Sequence, residues 1–243
     1  MRSWTTDATN FSVSVVDLAP GAEVSIGYED EIFLLLASGS LTLTAAEVSL
    51  TMQGDMLAIT PPGTLTVTCL EAARFLQVLP RRNDASDERP ADVVPLPSVV
   101  SRPSRPVRVY DLAKFTRSDS NMRLFQTADL MINVLTRRET PRDTNALSPH
   151  SHDDFEQASV VLEGRYVHHL RYPWTSDLSQ WRNDEAWEVG APSVAIIPPT
   201  VVHTSRNIGG ETGWLIDVFA PPRSDFLAKP GLVNNACDYG DAL

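Results

Sequence analysis

The sequence has few cysteines, no long apolar run and no surplus of basic charge. Its 243 residues include only Cys69 and Cys237, which excludes a disulfide framework and any cysteine-based metal or redox spacing. Two thiols outside any motif fit a reducing compartment, so a cytoplasmic location is expected. No stretch approaches the roughly 20 apolar residues of a membrane span. The start, Met1-Arg-Ser-Trp-Thr-Thr-Asp, lacks the apolar region of a signal peptide. Lys and Arg number 20 against 31 Asp and Glu, a formal charge of −11. That balance argues against a nucleic-acid surface, which needs a basic patch. At 42% apolar and 21% charged residues the composition is that of a soluble globular chain, long enough for one large β domain or two of ordinary size.

Helical periodicity is scarce. Phe11–Leu18, Ile32–Leu36, Ser40–Thr44, Met56–Thr60, Leu65–Leu70 and Arg74–Leu79 are rich in Val, Ile, Leu and Thr and bounded by turn residues, so they read as strands. So do Leu130–Leu135, Ser159–Leu162, Tyr166–Tyr172, Ser193–Ile197 and Trp214–Phe219. Many short strands separated by turns predict an all-β sandwich or barrel. Between the two sets, residues 81–106 carry Pro90, Pro95, Pro97, Pro103 and Pro106 and read as a linker. The expected division is therefore 1–80, the linker 81–106, and 107–243, whose tail from Pro221 reads as a surface loop. The two sets share punctuation. Leu34-Leu-Leu-Ala-Ser-Gly39 matches Val160-Val-Leu-Glu-Gly164, and the Gly54 to Pro61-Pro62 stretch matches Gly190 to Pro198-Pro199. Two landmarks in the same order point to an internal duplication.

Histidine is absent from the first 149 residues. All five lie later: His150, His152, His168, His169 and His203. Imidazole is the commonest metal-ligating side chain near neutral pH. His150 and His152 are two apart, so on a strand they share a face and can reach one cation. A third ligand should follow shortly, from Glu156 or Gln157, and a fourth, His203, from a strand across the barrel.

At these residues the sequence resembles the cupin superfamily. Its first motif, G(X)5HXH(X)3–4E(X)6G, appears as His150, His152, Glu156-Gln157 and Gly164; its second, G(X)5PXG(X)2H(X)3N, as Gly190, Pro198, His203 and Asn207. No glycine stands six residues before His150, and Thr200 takes the place of the second motif's glycine. The resemblance covers residues 120–220 well and 11–80 in outline. It implies a bicupin of two double-stranded β-helix (jelly-roll) barrels, the C-terminal one holding a single divalent ion: Fe, Mn, Zn or Ni. The six intervening residues Ala158–Glu163 before Gly164 put Gln157 at the ligand position, with Glu156 the alternative; as the two are adjacent, only one of them enters the barrel. Three histidines and a glutamine form an uncharged set that leaves the ion its full charge and favours an anionic, oxygen-rich substrate. The same offsets in the first half give Ser25, Gly27, Ile32 and Thr66; Gly27, Ile32 and Thr66 are not credible ligands for a divalent transition metal, so that barrel is expected to be metal-free.

Four further residues are candidates for chemistry beside the metal. His168 and His169 are consecutive, so one faces inward and either can serve as acid or base; Tyr166 and Arg171, like Arg165, lie on the same stretch and can meet a substrate anion. The long segment 171–188 holds Trp174, Trp181 and Trp187 and suits a loop packed on its barrel, a lid or a contact with a second copy; a homodimer is expected. The resemblance implies a metal-dependent isomerase or lyase acting on a small hydroxy-acid-, keto-acid- or carbohydrate-like molecule. An Fe(II) dioxygenase and a non-catalytic ligand-binding bicupin are the alternatives.

Overall fold

Runs rich in β-branched and aliphatic residues, cut by glycine and proline, settle into strands because their side chains fill a pleated surface. The computed structural model of the chain describes residues 1–82, 93–96 and 105–240. Residues 2–80 form β1 (Arg2–Asp7), β2 (Phe11–Leu18), β3 (Glu23–Tyr28), β4 (Ile32–Ala45), β5 (Val48–Gln53), β6 (Met56–Thr60) and β7 (Gly63–Pro80). β8 (Arg108–Asp111) lies beyond the proline-rich stretch, yet pairs with β6 and extends this same sheet. The second half contains β9 (Leu124–Gln126), β10 (Met131–Val134), β11 (Glu156–Glu163), β12 (Arg165–Arg171), β13 (Glu185–Gly190), β14 (Ser193–Ile197), β15 (Val202–Ile208) and β16 (Trp214–Ala220).

The two halves repeat one strand order. The first runs β1-β2-β7-β4-β6, and the second β9-β10-β16-β11-β14; on the other side β5 and β3 flank β4 and β7, and β13-β12-β15 forms the matching three-stranded sheet. In the first half β4 and β7 are long enough to serve both layers. In the second half the equivalents are divided, β4 into β11 and β12, β7 into β15 and β16. The matched glycines sit at the same bend. Gly39 has φ +83° and Gly164 φ +77°, and a Cβ would collide with the carbonyl of Ala72 in one case and of Thr212 in the other. Only glycine tolerates both the left-handed backbone and the close approach.

The halves share a core. Phe11, Phe33, Leu35 and Leu76 pack with Phe125, Ile132, Trp214 and Ile216 in one buried cluster, each side chain contributing about 1.5–3 kcal/mol of hydrophobic stabilisation. The interior of the first half is a separate apolar cluster that includes Ile32, Leu34, Leu41, Met52 and Phe75.

The linker expected at 81–106 falls mostly outside the described residues. Within it, Val93 and Leu96 are buried, and the Asn10 side chain donates to Val94 O and accepts from Leu96 N. The tail is more than a surface loop. It includes a short helix at Ser224–Leu227 and a 3-10 turn at Ala236–Tyr239, and Asn235 exchanges two hydrogen bonds with the backbone of Gln126. Among the described residues no helix is long and apolar enough to cross a membrane.

Candidate metal centre

Both candidate histidines of the first motif lie in the segment that leads into β11, and His203 lies on β15. His150 and His203 form an isolated antiparallel bridge, with His150 N donating to His203 O at 3.1 Å and His203 N to His150 O at 2.8 Å. The matching pair in the first half, Ser25 and Thr66, is also a cross-strand pair, of β3 and β7. There two hydroxyls meet at 2.8 Å where the second half has two imidazoles.

Three imidazoles converge. Ring centroids lie 4.5 Å apart for His150–His203, 5.1 Å for His152–His203 and 6.4 Å for His150–His152. Each Nδ1 meets a backbone carbonyl: Ser148 O at 3.0 Å, Phe155 O at 3.0 Å and Val201 O at 2.9 Å. A carbonyl only accepts, so Nδ1 carries the proton and, in the neutral ring, Nε2 is left with a lone pair. Burial lowers the pKa of His152, and burial lowers that of His203 to about 4, so both rings are neutral near pH 7. Among the described residues His203 Nε2, like His168 Nε2, is buried without a hydrogen-bond partner.

Gln157 turns toward the histidines and Glu156 away from them. Gln157 Nε2 donates to Ser159 Oγ at 3.1 Å and Asp217 Oδ1 at 3.3 Å. Ser159 Oγ donates to the same Asp217 oxygen at 2.7 Å. These acceptors fix the amide, and its Oε1 then lies 3.1 Å from His152 Nε2. Both ring nitrogens of His152 therefore face carbonyl oxygens, and a neutral ring donates to one of them; with the proton on Nδ1, Nε2 and Gln157 Oε1 turn lone pairs toward each other, as two ligands of one cation would. Glu156 accepts from Thr9 N and Asn10 N instead, both at 3.1 Å. Among the described residues no group of three or more His, Cys, Asp or Glu side chains is placed so that it could hold a metal ion.

Asp217, on β16, was not singled out in the sequence. Burial raises its carboxyl to about 6, opposed by the hydrogen bond from Ser159. It pairs with Ser159 across β11 and β16, where the first half pairs Leu34 with Gln77. A cavity of about 230 Å³ opens beside this group, lined by His150, Gln157, His203, Asp217, Arg138 and Arg142, among others. Arg142 holds the approach to His150 by donating to Ser205 O at 2.9 Å and Ser148 Oγ at 2.8 Å. Arg138 has no carboxylate within ion-pair distance among the described residues. Burial, and then Arg138, lower the pKa of Arg142.

The other sequence candidates divide. His168 points inward, fully buried, with Nδ1 2.7 Å from Ser205 Oγ; Ser205 lines the cavity. Burial lowers its pKa to about 4. His169 faces the opposite side, where Arg206 Nε donates to its Nε2 at 3.1 Å. Tyr166 packs with Val161 and Leu215, and burial raises its pKa to about 12. Arg171 stands outside the cluster, paired with Asp184 at 2.5 and 2.9 Å, and Arg165 likewise pairs outside with Glu188. The tryptophan segment projects from the body. Trp174 is 74% exposed and stacks on Trp181 at 4.1 Å.

Thr200 adopts φ +71°, the left-handed backbone that the second motif's glycine favours. It keeps the turn before His203 in place, with Thr200 N donating to His152 O at 2.7 Å.

No protein-family model matches the chain, and no curated protein matches it in sequence. Solved structures do resemble it. A cupin 2 conserved barrel domain protein from Leptotrichia buccalis matches with TM-score 0.54 at 10% identity, over 90% of this chain and 88% of that one. The Lactobacillus farciminis oxalate decarboxylase formate complex matches with TM-score 0.64 at 13% identity, over 91% and 81%. The Bacillus subtilis oxalate decarboxylase, in a structure concerned with its Mn(II) centres, matches with TM-score 0.60 at 15% identity, over 89% and 70%. The chain has the all-β, jelly-roll cupin fold.

Proposed function

We propose that this chain is a bicupin enzyme whose second barrel, within residues 107–243, holds one divalent metal ion on His150, His152, Gln157 and His203. The observation that carries the reading is the facing of Gln157 Oε1 and His152 Nε2 at 3.1 Å, beside the buried and unpartnered Nε2 of His203. All three rings are anchored at Nδ1, the outer contact that orients metal-ligating histidines. The Mn(II) centres of an oxalate decarboxylase of the same fold support a metal role. The repeated strand order supports two barrels, the first closed by its apolar interior.

A divalent ion bound there would supply a Lewis acid for the carbonyl or hydroxyl oxygen of a small hydroxy- or keto-acid. The rest of the work falls to this chain's residues. Arg138 and Arg142 line the cavity and bind the substrate carboxylate by charge-assisted hydrogen bonds. Ser205 Oγ, 2.7 Å from His168 Nδ1, passes a proton between the cavity and that neutral imidazole. Proton movement next to a polarised carbonyl is isomerase or lyase chemistry. The test is turnover of small hydroxy- and keto-acids by the metal-loaded protein with and without oxygen. Oxygen-independent isomerisation or cleavage supports the reading; turnover that consumes oxygen replaces it with an Fe(II) dioxygenase, and no turnover with retained acid binding replaces it with a binding protein.

A further inference from the structure

We infer that Glu156 is a positioning residue for Gln157, through which the N-terminal half of the chain holds a ligand of the C-terminal half; the inference rests on the metal reading above. Glu156 and Gln157 open β11, and as neighbours on a strand they face opposite ways. Gln157 faces the histidines. Glu156 is 4% exposed and receives Thr9 N on Oε1 and Asn10 N on Oε2, each at 3.1 Å. One N–H on each oxygen fixes the carboxylate, and charge-assisted bonds of this kind are the strong ones. The turn that supplies them is itself braced: Ala8 N donates to Phe11 O at 2.9 Å and Arg81 N to Asn10 O at 2.8 Å. Rotation of β11 at its first residue is thereby tied to the other half of the molecule.

The duplication shows what the clamp does when there is no ligand to position. In the C-terminal half the turn Thr127–Leu130 repeats the same closure, Thr127 N to Leu130 O at 2.8 Å, and Asp129 stands where Asn10 does. Asp129 accepts from Arg82, which also holds Asp30. The counterpart of Glu156 is Glu31, which accepts from Arg108 Nη2 at 2.6 Å and Tyr239 Oη at 3.1 Å. So the start of the central strand in each half is held by groups from elsewhere in the chain: Arg108 on β8 and Tyr239 in the tail hold Glu31, and the Thr9–Asn10 turn of the other half holds Glu156. After Glu31 comes Ile32, a fully buried apolar residue with no ligand role. After Glu156 comes Gln157. Both glutamates are anchored at the head of the central strand, Glu31 by side chains and Glu156 by backbone N–H groups, and only Glu156 is followed by a residue that can serve as a ligand.

The experiment is a Mn(II) titration read by electron paramagnetic resonance, with thermal unfolding of each metal-free variant alongside. Glu156→Ala is expected to weaken Mn(II) binding about 10–100-fold, the range for removing an outer partner of a ligand. Glu156→Gln keeps an acceptor oxygen and falls between Ala and wild type. Thr9→Pro deletes one N–H from the N-terminal half alone and weakens Mn(II) binding too. Glu31→Ala, the matched site, lowers the melting temperature and leaves Mn(II) affinity and line shape unchanged. Wild-type affinity in Glu156→Gln and Thr9→Pro overturns the inference even if Glu156→Ala fails to fold. An equal loss in Glu31→Ala overturns it as well, by showing general loosening. A wild-type protein that binds no Mn(II), indistinguishable from Gln157→Ala, overturns the metal reading on which the inference stands.

Discussion

Gln157 Oε1 lies 3.1 Å from His152 Nε2, and with the ring proton on Nδ1, toward Phe155 O, neither atom has a hydrogen to give the other. The amide is held in this orientation by Asp217 and Ser159, and the imidazole by Phe155 O. Asp217 thus belongs to the candidate centre alongside the histidines. Asp217→Ala frees the amide to turn its NH2 toward His152, and Mn(II) affinity measured by calorimetry should fall about tenfold or more. Unchanged affinity would show that the amide needs no external acceptor.

Arg138 lines the cavity with no carboxylate at ion-pair distance among the described residues. In the metal-loaded protein, Arg138→Ala should weaken binding of a small hydroxy-acid such as glycolate about 10–100-fold, the worth of one hydrogen bond to a charged group. Binding of an uncharged diol of the same size should not change. Equal affinities for the acid in both proteins would remove Arg138 from the site. Arg142→Ala has a broader effect, because Arg142 also holds Ser148 and Ser205.

Much of this was legible in the sequence, in proportion to how strongly each segment is buried. Phe11–Leu18 and Met56–Thr60 appear with the expected bounds, since their apolar residues sit in the core. The strand Ile32–Ala45 reads as two pieces because Gly39 interrupts its apolar pattern at a bend that does not end the pairing. Arg2–Asp7 and Glu185–Gly190 were missed because they are mostly exposed and show no apolar alternation. Val202–Ile208 was missed for the opposite reason, its inward residues being the polar ones of the site. The histidines and Gln157 were legible by spacing. Asp217 was not, although a lone acid inside Trp214-Leu-Ile-Asp-Val-Phe-Ala220 was a usable signal. So was the arginine cluster Arg137-Arg138 and Arg142 just ahead of His150 in an acidic chain.

Thr200 carries backbone strain. A β-branched residue at φ +71° costs about 1–2 kcal/mol relative to glycine, partly offset by the roughly 0.5–1 kcal/mol of chain entropy that glycine loses on folding. Thr200→Gly should therefore raise the stability in urea unfolding by about 0.5–1 kcal/mol. A loss of stability would mean that the threonine side chain makes a compensating contact.

The two halves share the cluster that contains Phe33 and Ile132, so they should unfold together. Ile132→Ala removes a fully buried side chain and should cost about 2–5 kcal/mol in a single transition. Two separated transitions would contradict the shared core.

The most direct measurement is the metal content of protein purified without chelator, for wild type, His203→Ala and Thr66→Ala. One divalent ion per chain is expected in wild type and in Thr66→Ala, whose hydroxyl stands where His203 does, and close to none in His203→Ala. A wild-type value near zero or near two, or equal metal in both variants, would contradict the account.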